Sequence, residues 1–346
     1  MISKHTVFSL LAAGLLTLTG CGGGGGGGGS ESTTGQLTLG LTDAPLESAQ
    51  SVIVAFTGLE LKPVEGPPLD PITFDENSCD DYDLGTGTCY IDLLELTGDT
   101  RKVVFSGDIP AGEYEWVRLM VEAERNITDS YIELDNGNMC PIWIPSGDQT
   151  GLKIVSGITV TANGVSDYTL DFDVRSSITA PSGIPFLSDE ACNQSYLMKP
   201  AIRIVDTTET VTLAGEVPEE LLEGDASCVR DEVNGLFEGA AVYVFENSDA
   251  AAVADDIDTE QDNANPITTA NVEYDEVSST YNFEVGYLLA PEDYLLALTC
   301  TAVVDLPDSD EFDPTLQAEQ EFSFIAEREV STVVDEPADG SFSIVE

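Results

Sequence analysis

A recurring alternation of apolar and polar residues over short stretches constrains the fold of this chain most. Leu37, Leu39 and Leu41 alternate with polar or small residues, as expected of a strand with one buried face. Residues 158–161 and 168–174 are predicted to form a hairpin around an Ala-Asn-Gly turn. Similar stretches recur to the end of the chain, and no long amphipathic helix is indicated. The sequence therefore predicts an all-β protein built from sandwiches or barrels.

The first residues of the chain predict export. Lys4 precedes an apolar run that is too short for a membrane span and that ends in small residues, which is typical of a signal peptide. Leu18-Thr19-Gly20-Cys21 resembles the lipobox of bacterial lipoproteins. That resemblance implies a signal peptide over residues 1–20, cleavage before Cys21, and acylation of Cys21, including attachment of palmitate.

A glycine-rich linker, residues 21–35, follows the predicted cleavage site. A flexible coil of this length spans on the order of 20 Å. It would keep the folded part close to the lipid bilayer that holds acylated Cys21, which makes the bilayer the first expected partner. Gly22 stands where inner-membrane lipoproteins of enterobacteria carry aspartate. The resemblance thus implies a cell-envelope location, lipid-anchored in the outer membrane of a Gram-negative bacterium, facing the periplasm or the outside.

The charge of the chain restricts its chemistry. After residues 1–20 are removed, 11 basic and 64 acidic residues remain, with a net charge of −53 and no histidine. Mechanisms that use a histidine base or a histidine metal ligand are excluded from such a chain. Nucleic acid is not an expected partner, because like charges repel. Two interpretations of the acidity stay open: a solvated surface suited to a saline medium, or a specific cation site.

Six cysteines remain besides Cys21, and an even number in an exported protein predicts disulfides. Six cysteines permit fifteen pairings, of which sequence proximity favours three bonds. These are Cys79–Cys89, Cys140–Cys192 and Cys228–Cys300. The first would fix a long loop over residues 63–89, and the third would join two strands.

Asp171 and Asp173 are the strongest candidates for a chemical site. On a strand both carboxylates point to one face and Phe172 to the other. They are predicted to bind a cation such as Ca²⁺, with Asp43 as a further ligand, or to act as a catalytic acid and base. The favoured interpretation is nevertheless a purely structural role, in which turn amides or basic side chains neutralise the pair. The basic residues considered are Arg118, Lys153 and Arg175.

Several short motifs occur in a fixed order between residues 41 and 200. They are Leu41-Thr42-Asp43-Ala44-Pro45, Pro110-Ala111-Gly112-Glu113-Tyr114, Gly151-Leu152-Lys153, Asp171-Phe172-Asp173 and Tyr196-Leu197-Met198-Lys199-Pro200. Together they resemble the domain of unknown function family 4382, over residues of about 35–206. The resemblance implies a β-rich lipoprotein domain over residues 36–206, with no established activity and no catalytic residues to carry over.

Residues 207–346 are predicted to form a second domain. A strong strand follows Gly239, and a turn at Pro291-Glu292-Asp293 precedes another apolar strand. This pattern resembles carboxypeptidase-regulatory-like and other transthyretin-like sandwiches, although that family usually has Pro-Gly at the turn. The expected architecture is therefore two β-sandwiches, immunoglobulin-like or transthyretin-like, behind a lipid anchor.

The functional expectation is a non-enzymatic binding or structural module of the cell envelope, with no cofactor apart from a candidate Ca²⁺ ion. The alternative is a calcium-dependent carbohydrate or polymer binder. Expected partners besides the bilayer are an envelope protein or a polysaccharide. The identity of the ligand and the oligomeric state do not follow from the sequence.

Overall fold

The computed structural model describes residues 33–343, apart from 45, 47–48, 146–150, 182–183, 185–187, 200, 238, 248–253, 255–256, 258–264 and 306–321. Thr33–Glu346 belong to one compact unit. The candidate lipidation site Cys21 lies outside the described residues.

Fifteen strands precede residue 207. In chain order they are β1 (Thr34–Ala44), β2 (Ala49–Pro63), β3 (Ile72–Thr73), β4 (Asp81–Asp83), β5 (Thr88–Asp92), β6 (Lys102–Pro110), β7 (Gly112–Glu122), β8 (Tyr131–Leu134), β9 (Met139–Trp143), β10 (Leu152–Ile154), β11 (Ile158–Val160), β12 (Val165–Asp173), β13 (Ile178–Thr179), β14 (Tyr196–Met198) and β15 (Ala201–Asp206). A short helix, α1 (Val174–Ser177), follows β12 directly.

These strands form two sheets that enclose one core. Sheet A has the order β15-β12-β1-β6, in which β1 runs parallel to β12 and antiparallel to β6. Sheet B contains the other eleven strands. The long strand β2 lies at its centre and pairs with β7, β5 and β8. Leu37, Leu39 and Leu41 are fully buried, as their alternation predicts, and Phe172 of sheet A packs edge-on against Phe56 of sheet B.

Eight further strands follow, together with a second short helix, α2 (Glu219–Glu223). They are β16 (Thr210–Val217), β17 (Ala241–Glu246), β18 (Thr268–Asn271), β19 (Glu273–Asp275), β20 (Thr280–Leu289), β21 (Asp293–Thr299), β22 (Phe324–Ser331) and β23 (Ala338–Asp339). Sheet C has the order β19-β20-β16-β23, and sheet D has the order β18-β17-β21-β22.

Sheets C and D enclose a second core, in which Leu213 and Phe283 meet Val244 and Leu296. A smaller apolar cluster covers the outer face of sheet D and includes Tyr243. The architecture is thus all-β with two sandwiches, as predicted. The predicted limits, 36–206 and 207–346, stay predictions, because both sandwiches belong to the same compact unit.

Three disulfides join Cys79 to Cys89, Cys140 to Cys192, and Cys228 to Cys300, the pairs that sequence proximity favours. One detail of that prediction is wrong. Cys228 lies in a turn after α2 and Cys300 directly follows β21, so the third bond joins a turn to a strand end and not two strands.

Two other local predictions are also wrong. β11 pairs with β7 in sheet B, whereas β12 pairs with β1 and β15 in sheet A, so no hairpin forms. The turn between β11 and β12 instead leads the chain from sheet B to sheet A. Each strand pairs with strands that are distant in sequence and not with the other. The predicted loop at 63–89 also contains β3, β4 and the start of β5. Among the described residues, no helix is both long and apolar enough to span a bilayer.

Candidate functional site

Asp171 and Asp173 lie at the end of β12 and are almost completely buried. Phe172, between them, points into the core against Phe56. The alternation along the strand therefore directs both carboxylates to the outer face of sheet A, as predicted. The sequence does not reveal what covers that face, because the covering residues come from the second sandwich.

Asp43 does not join the two carboxylates. It is the register partner of Phe172 on the neighbouring strand β1, so its side chain belongs to the opposite face of sheet A. Asp43 Oδ1 accepts a hydrogen bond from the backbone N–H of Val174 at 3.2 Å. In the described part of the chain, no three Cys, His, Asp or Glu side chains come together in a way that could hold a metal ion. The predicted set of three cation ligands is thus divided between two faces.

Asp171 pairs with Arg203, its register partner on β15. Arg203 Nε donates to Asp171 Oδ2 at 2.6 Å. Burial raises the pKa of the Asp171 carboxyl, and the adjacent Arg203 guanidinium opposes that shift. Arg203 Nη2 is buried and has no hydrogen-bond partner among the described residues.

Asp173 has a different task, because it caps the helix α1. Its Oδ1 accepts the backbone N–H of Ser176 at 2.9 Å, and the Ser176 hydroxyl donates to its Oδ2. This is the side-chain bond of a helix N-cap, here placed at the junction of β12 and α1. Burial raises the pKa of the Asp173 carboxyl, while the two bonds from Ser176 oppose the shift. Both oxygens of the Asp173 carboxylate therefore accept hydrogen bonds from Ser176, within the same turn.

The capped helix delivers Arg175 into the second sandwich. The Arg175 side chain is 1% exposed. Its Nη1 donates to the backbone oxygen of Ala302 at 2.9 Å, and its Nε donates to Thr269 Oγ1 at 3.4 Å. The guanidinium also lies 5.8 Å from the ring centre of Tyr243. Arg175 thus joins β12 of the first sandwich to sheet D of the second.

A second contact between the sandwiches lies at the loop after Leu96. Glu284 Oε1 accepts the backbone N–H of Asp99 at 2.9 Å, and Tyr287 donates its hydroxyl to the Asp99 carbonyl, also at 2.9 Å. Gly286 packs so closely that a Cβ there would lie 2.0 Å from the carbonyl oxygen of Gly98. Side chains of the second sandwich therefore form hydrogen bonds with backbone groups of the first across this boundary.

A cavity of about 560 Å³ opens beside the buried carboxylates. We call it the interdomain cleft. One wall is formed by consecutive residues of β15, and the facing wall comes from the second sandwich. Residues of the second sandwich that line it include Glu246, Ile257, Pro266, Ile267 and Leu289. Its size lies within the range of natural ligand sites.

The structure assigns other roles to the residues first considered as partners of the aspartates. Arg118 pairs with Glu60 at 2.8 Å, and its guanidinium lies 4.5 Å from the ring centre of Trp116. Lys153 lies on the same ring, at 5.0 Å. Both belong to sheet B, so of the three basic residues predicted as partners, Arg175 alone lies near the aspartates, where Arg203 joins it. In the sequence, the only hint that Arg175 bridges the two sandwiches is its position close to Asp171 and Asp173.

Among the described residues, Trp116, Trp143 and Tyr196 do not form an open sugar-binding face. Trp116 is 6% exposed beneath its two cations, and Tyr196 is fully buried in the first core. Trp143 is partly buried, and the guanidinium of Arg125 lies 5.1 Å from its ring centre. These rings therefore stabilise the first sandwich.

The comparisons with known proteins give one family match. Residues 34–200 match the family described as Domain of unknown function (DUF4382). No curated protein matches the chain.

Among solved structures, the chain is similar to a protein from Bacteroides ovatus that is provisionally described as an adhesin. The identity is 9% and the TM-score 0.18, with 82% of this chain and 83% of that chain covered. The T6 backbone pilin of Streptococcus pyogenes has 7% identity and a TM-score of 0.16, with 86% and 80% covered. TM-scores this low establish neither a common fold nor a common function.

The family match covers the same motifs that carry the resemblance in the sequence, including the strand end that bears Asp171 and Asp173. Residues 34–200 of this chain therefore belong to the DUF4382 domain family.

Proposed function

We propose that this chain is a lipid-anchored protein of the cell envelope that acts as a non-enzymatic binding or structural module. The proposal rests on the hydrogen bonds that the buried carboxylates of Asp171 and Asp173 make. Asp171 is held by Arg203, and Asp173 caps the helix that brings Arg175 into the second sandwich. The residues best suited to catalysis by their sequence pattern thus serve to connect two sandwiches.

Composition supports the same proposal. The chain after Cys21 contains no histidine, which removes the most common general base of hydrolytic enzymes. Three disulfides strengthen the two sandwiches, which suits an exported protein. A rigid pair of sandwiches with an interdomain cleft is a scaffold for presenting or binding another envelope component.

The anchor is tested by labelling cells that express the full chain with radioactive palmitate. The wild-type protein is expected to incorporate the label and to sediment with the outer-membrane fraction. The Cys21→Ala variant should incorporate no label and leave that fraction, whereas Cys79→Ala, a matched cysteine control, should still be labelled. An unlabelled wild-type protein would overturn the anchored part of the proposal.

The connecting role is tested by calorimetry of the purified full chain. The wild type is expected to unfold in one transition, because the sandwiches are coupled through Arg175 and Asp99. Arg175→Met should separate this into two transitions. Two transitions in the wild type, unchanged in the variant, would show that the buried carboxylates do not connect the sandwiches.

A further inference from the structure

One edge of sheet A is open within the interdomain cleft. β15 is the terminal strand of the sheet and pairs with β12 only, over the register from Tyr168–Asp206 to Asp173–Ala201. In the described part of the chain, no strand pairs with its other edge. Residues 201–205 nevertheless line the cleft one after another, so the open edge faces a wall of the second sandwich.

The direction of the backbone groups follows from one hydrogen bond. The N–H of Ala201 donates to Ser177 Oγ at 2.8 Å, on the side of β12. Because successive N–H groups of a strand point to opposite edges, the N–H groups of Ile202 and Ile204 face the cleft. Unpaired backbone donors and acceptors along an edge are a template for another strand.

The facing wall is suited to the side chains of such a strand. Ile267 and Leu289 are partly exposed and, together with the buried Ile257 and Pro266, form the apolar part of the cleft lining. At about 3.3 Å per residue, the six residues of β15 accommodate an extended segment of about five or six residues. A strand in this position would be paired along one side and packed along the other.

Charge decides which segment fits. Glu246, at the end of β17, lines the cleft, is exposed and has no ion-pair partner among the described residues. Asp171 and Asp173 are already bonded to Arg203 and Ser176. The exposed Lys199 also lines the cleft, and it has an interaction of its own, so Glu246 is the charge left for a ligand. The chain as a whole carries a charge of −52, which repels acidic segments and attracts basic ones.

We propose that the interdomain cleft binds an extended peptide segment of a partner protein, which adds to β15 as a fifth strand of sheet A. The segment has apolar residues at alternate positions and a lysine or arginine that pairs with Glu246. This inference rests on the proposed function of a binding module and names the class of its ligand. Strand addition of this kind takes its affinity from backbone bonds and its specificity from side-chain pockets.

The test uses a phage-displayed library of random linear 12-residue peptides, selected on the purified, detergent-solubilised full chain. Enriched peptides are expected to alternate apolar residues and to carry a basic residue. Ile204→Pro removes a backbone donor that faces the cleft and should weaken their binding at least tenfold, whereas Ile204→Val should bind like the wild type. Glu246→Lys should also weaken binding at least tenfold, whereas Glu276→Lys, in a turn away from the cleft, should not.

Circular dichroism and melting curves establish that each variant is folded, and Glu246→Lys provides the test if Ile204→Pro does not fold. Hydrogen exchange gives a separate readout, since a bound peptide should slow exchange of the Ile202 and Ile204 amides. The inference is overturned if no peptide is enriched, or if enriched peptides bind Ile204→Pro and Glu246→Lys as they bind the wild type. Palmitate labelling and coupled unfolding would survive that result, so this failure is distinguishable from failure of the proposed function.

Discussion

The guanidinium of Arg175 lies 5.8 Å from the ring centre of Tyr243, although the two residues belong to different sandwiches. Arg175 is carried there by a helix of only four residues, whose first turn is held by Asp173. A carboxylate, a helix and a buried cation therefore form one continuous connection from sheet A to sheet D. The contribution of each of these residues to the free energy of unfolding can be measured separately.

Replacement of Arg175 by methionine should lower the free energy of unfolding of the sandwich that unfolds first by about 3 kcal/mol, because the two sandwiches of the variant unfold separately. The change leaves the Ala302 carbonyl and the buried Asp173 without their cationic neighbour, and breaking such a buried arrangement is costly. Urea denaturation of the purified protein measures the effect. The matched control is Arg125→Met, at an exposed arginine whose guanidinium lies 5.1 Å from the ring centre of Trp143, where a loss of at most about 1 kcal/mol is expected. Equal losses in the two variants would contradict the role assigned to Arg175.

Asp173→Ala should destabilise the protein by about 1–2 kcal/mol, because the N–H of Ser176 loses its cap. Asp173→Asn keeps an acceptor oxygen and should remain within about 0.5 kcal/mol of the wild type. The comparison separates a hydrogen-bonding role from one that needs the charge. If asparagine were as damaging as alanine, the negative charge next to Arg175 would be the important property and the cap would not.

Acidification should stabilise the wild type relative to the double variant Asp171→Asn/Asp173→Asn. Burial raises the pKa of both carboxyls in the folded state above the ordinary value of 3.8. The folded protein therefore binds protons that the unfolded chain has released, and the contribution of these groups to stability grows as the pH falls through the raised pKa values.

The measurement is the difference in unfolding free energy between the wild type and the double variant at pH 7 and at pH 4.5. Taking the difference removes the general relief of charge repulsion that both proteins share. A wild type that loses stability relative to the variant on acidification would mean that the two carboxylates are held in their charged form.

Salt should stabilise the protein through screening and not through a cation site at the aspartates. Asp43 lies on the face of sheet A opposite Asp171 and Asp173, so the three do not form a ligand set. Calcium chloride and sodium chloride at equal ionic strength should therefore raise the melting temperature equally. A saturable rise at micromolar calcium, lost in Asp171→Asn, would restore the calcium-dependent alternative.

The long strands were predictable because they depend on local alternation, whereas the short strands β3 and β4 carry no such pattern. Leu37, Leu39 and Leu41 occupy one face of a strand whatever its neighbours are, and burial of that face is enough to define β1. The Cys79–Cys89 disulfide followed from sequence proximity, since a separation of 10 residues is closed at low entropic cost, whereas the other two bonds close loops of 52 and 72 residues and simply join the cysteines that remain nearest in sequence.

Strand partners and the site itself were not predictable, because they depend on distant residues. The turn after β11 looks like a hairpin turn, yet the register of β12 is set by β1, more than a hundred residues earlier. The face on which Asp43 lies depends on that same register. Likewise, nothing near Arg175 in the sequence indicates that Tyr243 and Ala302 will surround it.

The position of β1 has a mechanical consequence. β1 is the first strand after the linker and lies between β6 and β12 in sheet A. A pull on the chain before Thr34 acts along this strand, so its backbone bonds to both neighbours are loaded together in shear. Strands at a sheet edge can be peeled away one bond at a time, but a central strand resists until many bonds fail at once. The fold thus attaches the linker to a central strand, where a pull is resisted by the bonds to two neighbours at once.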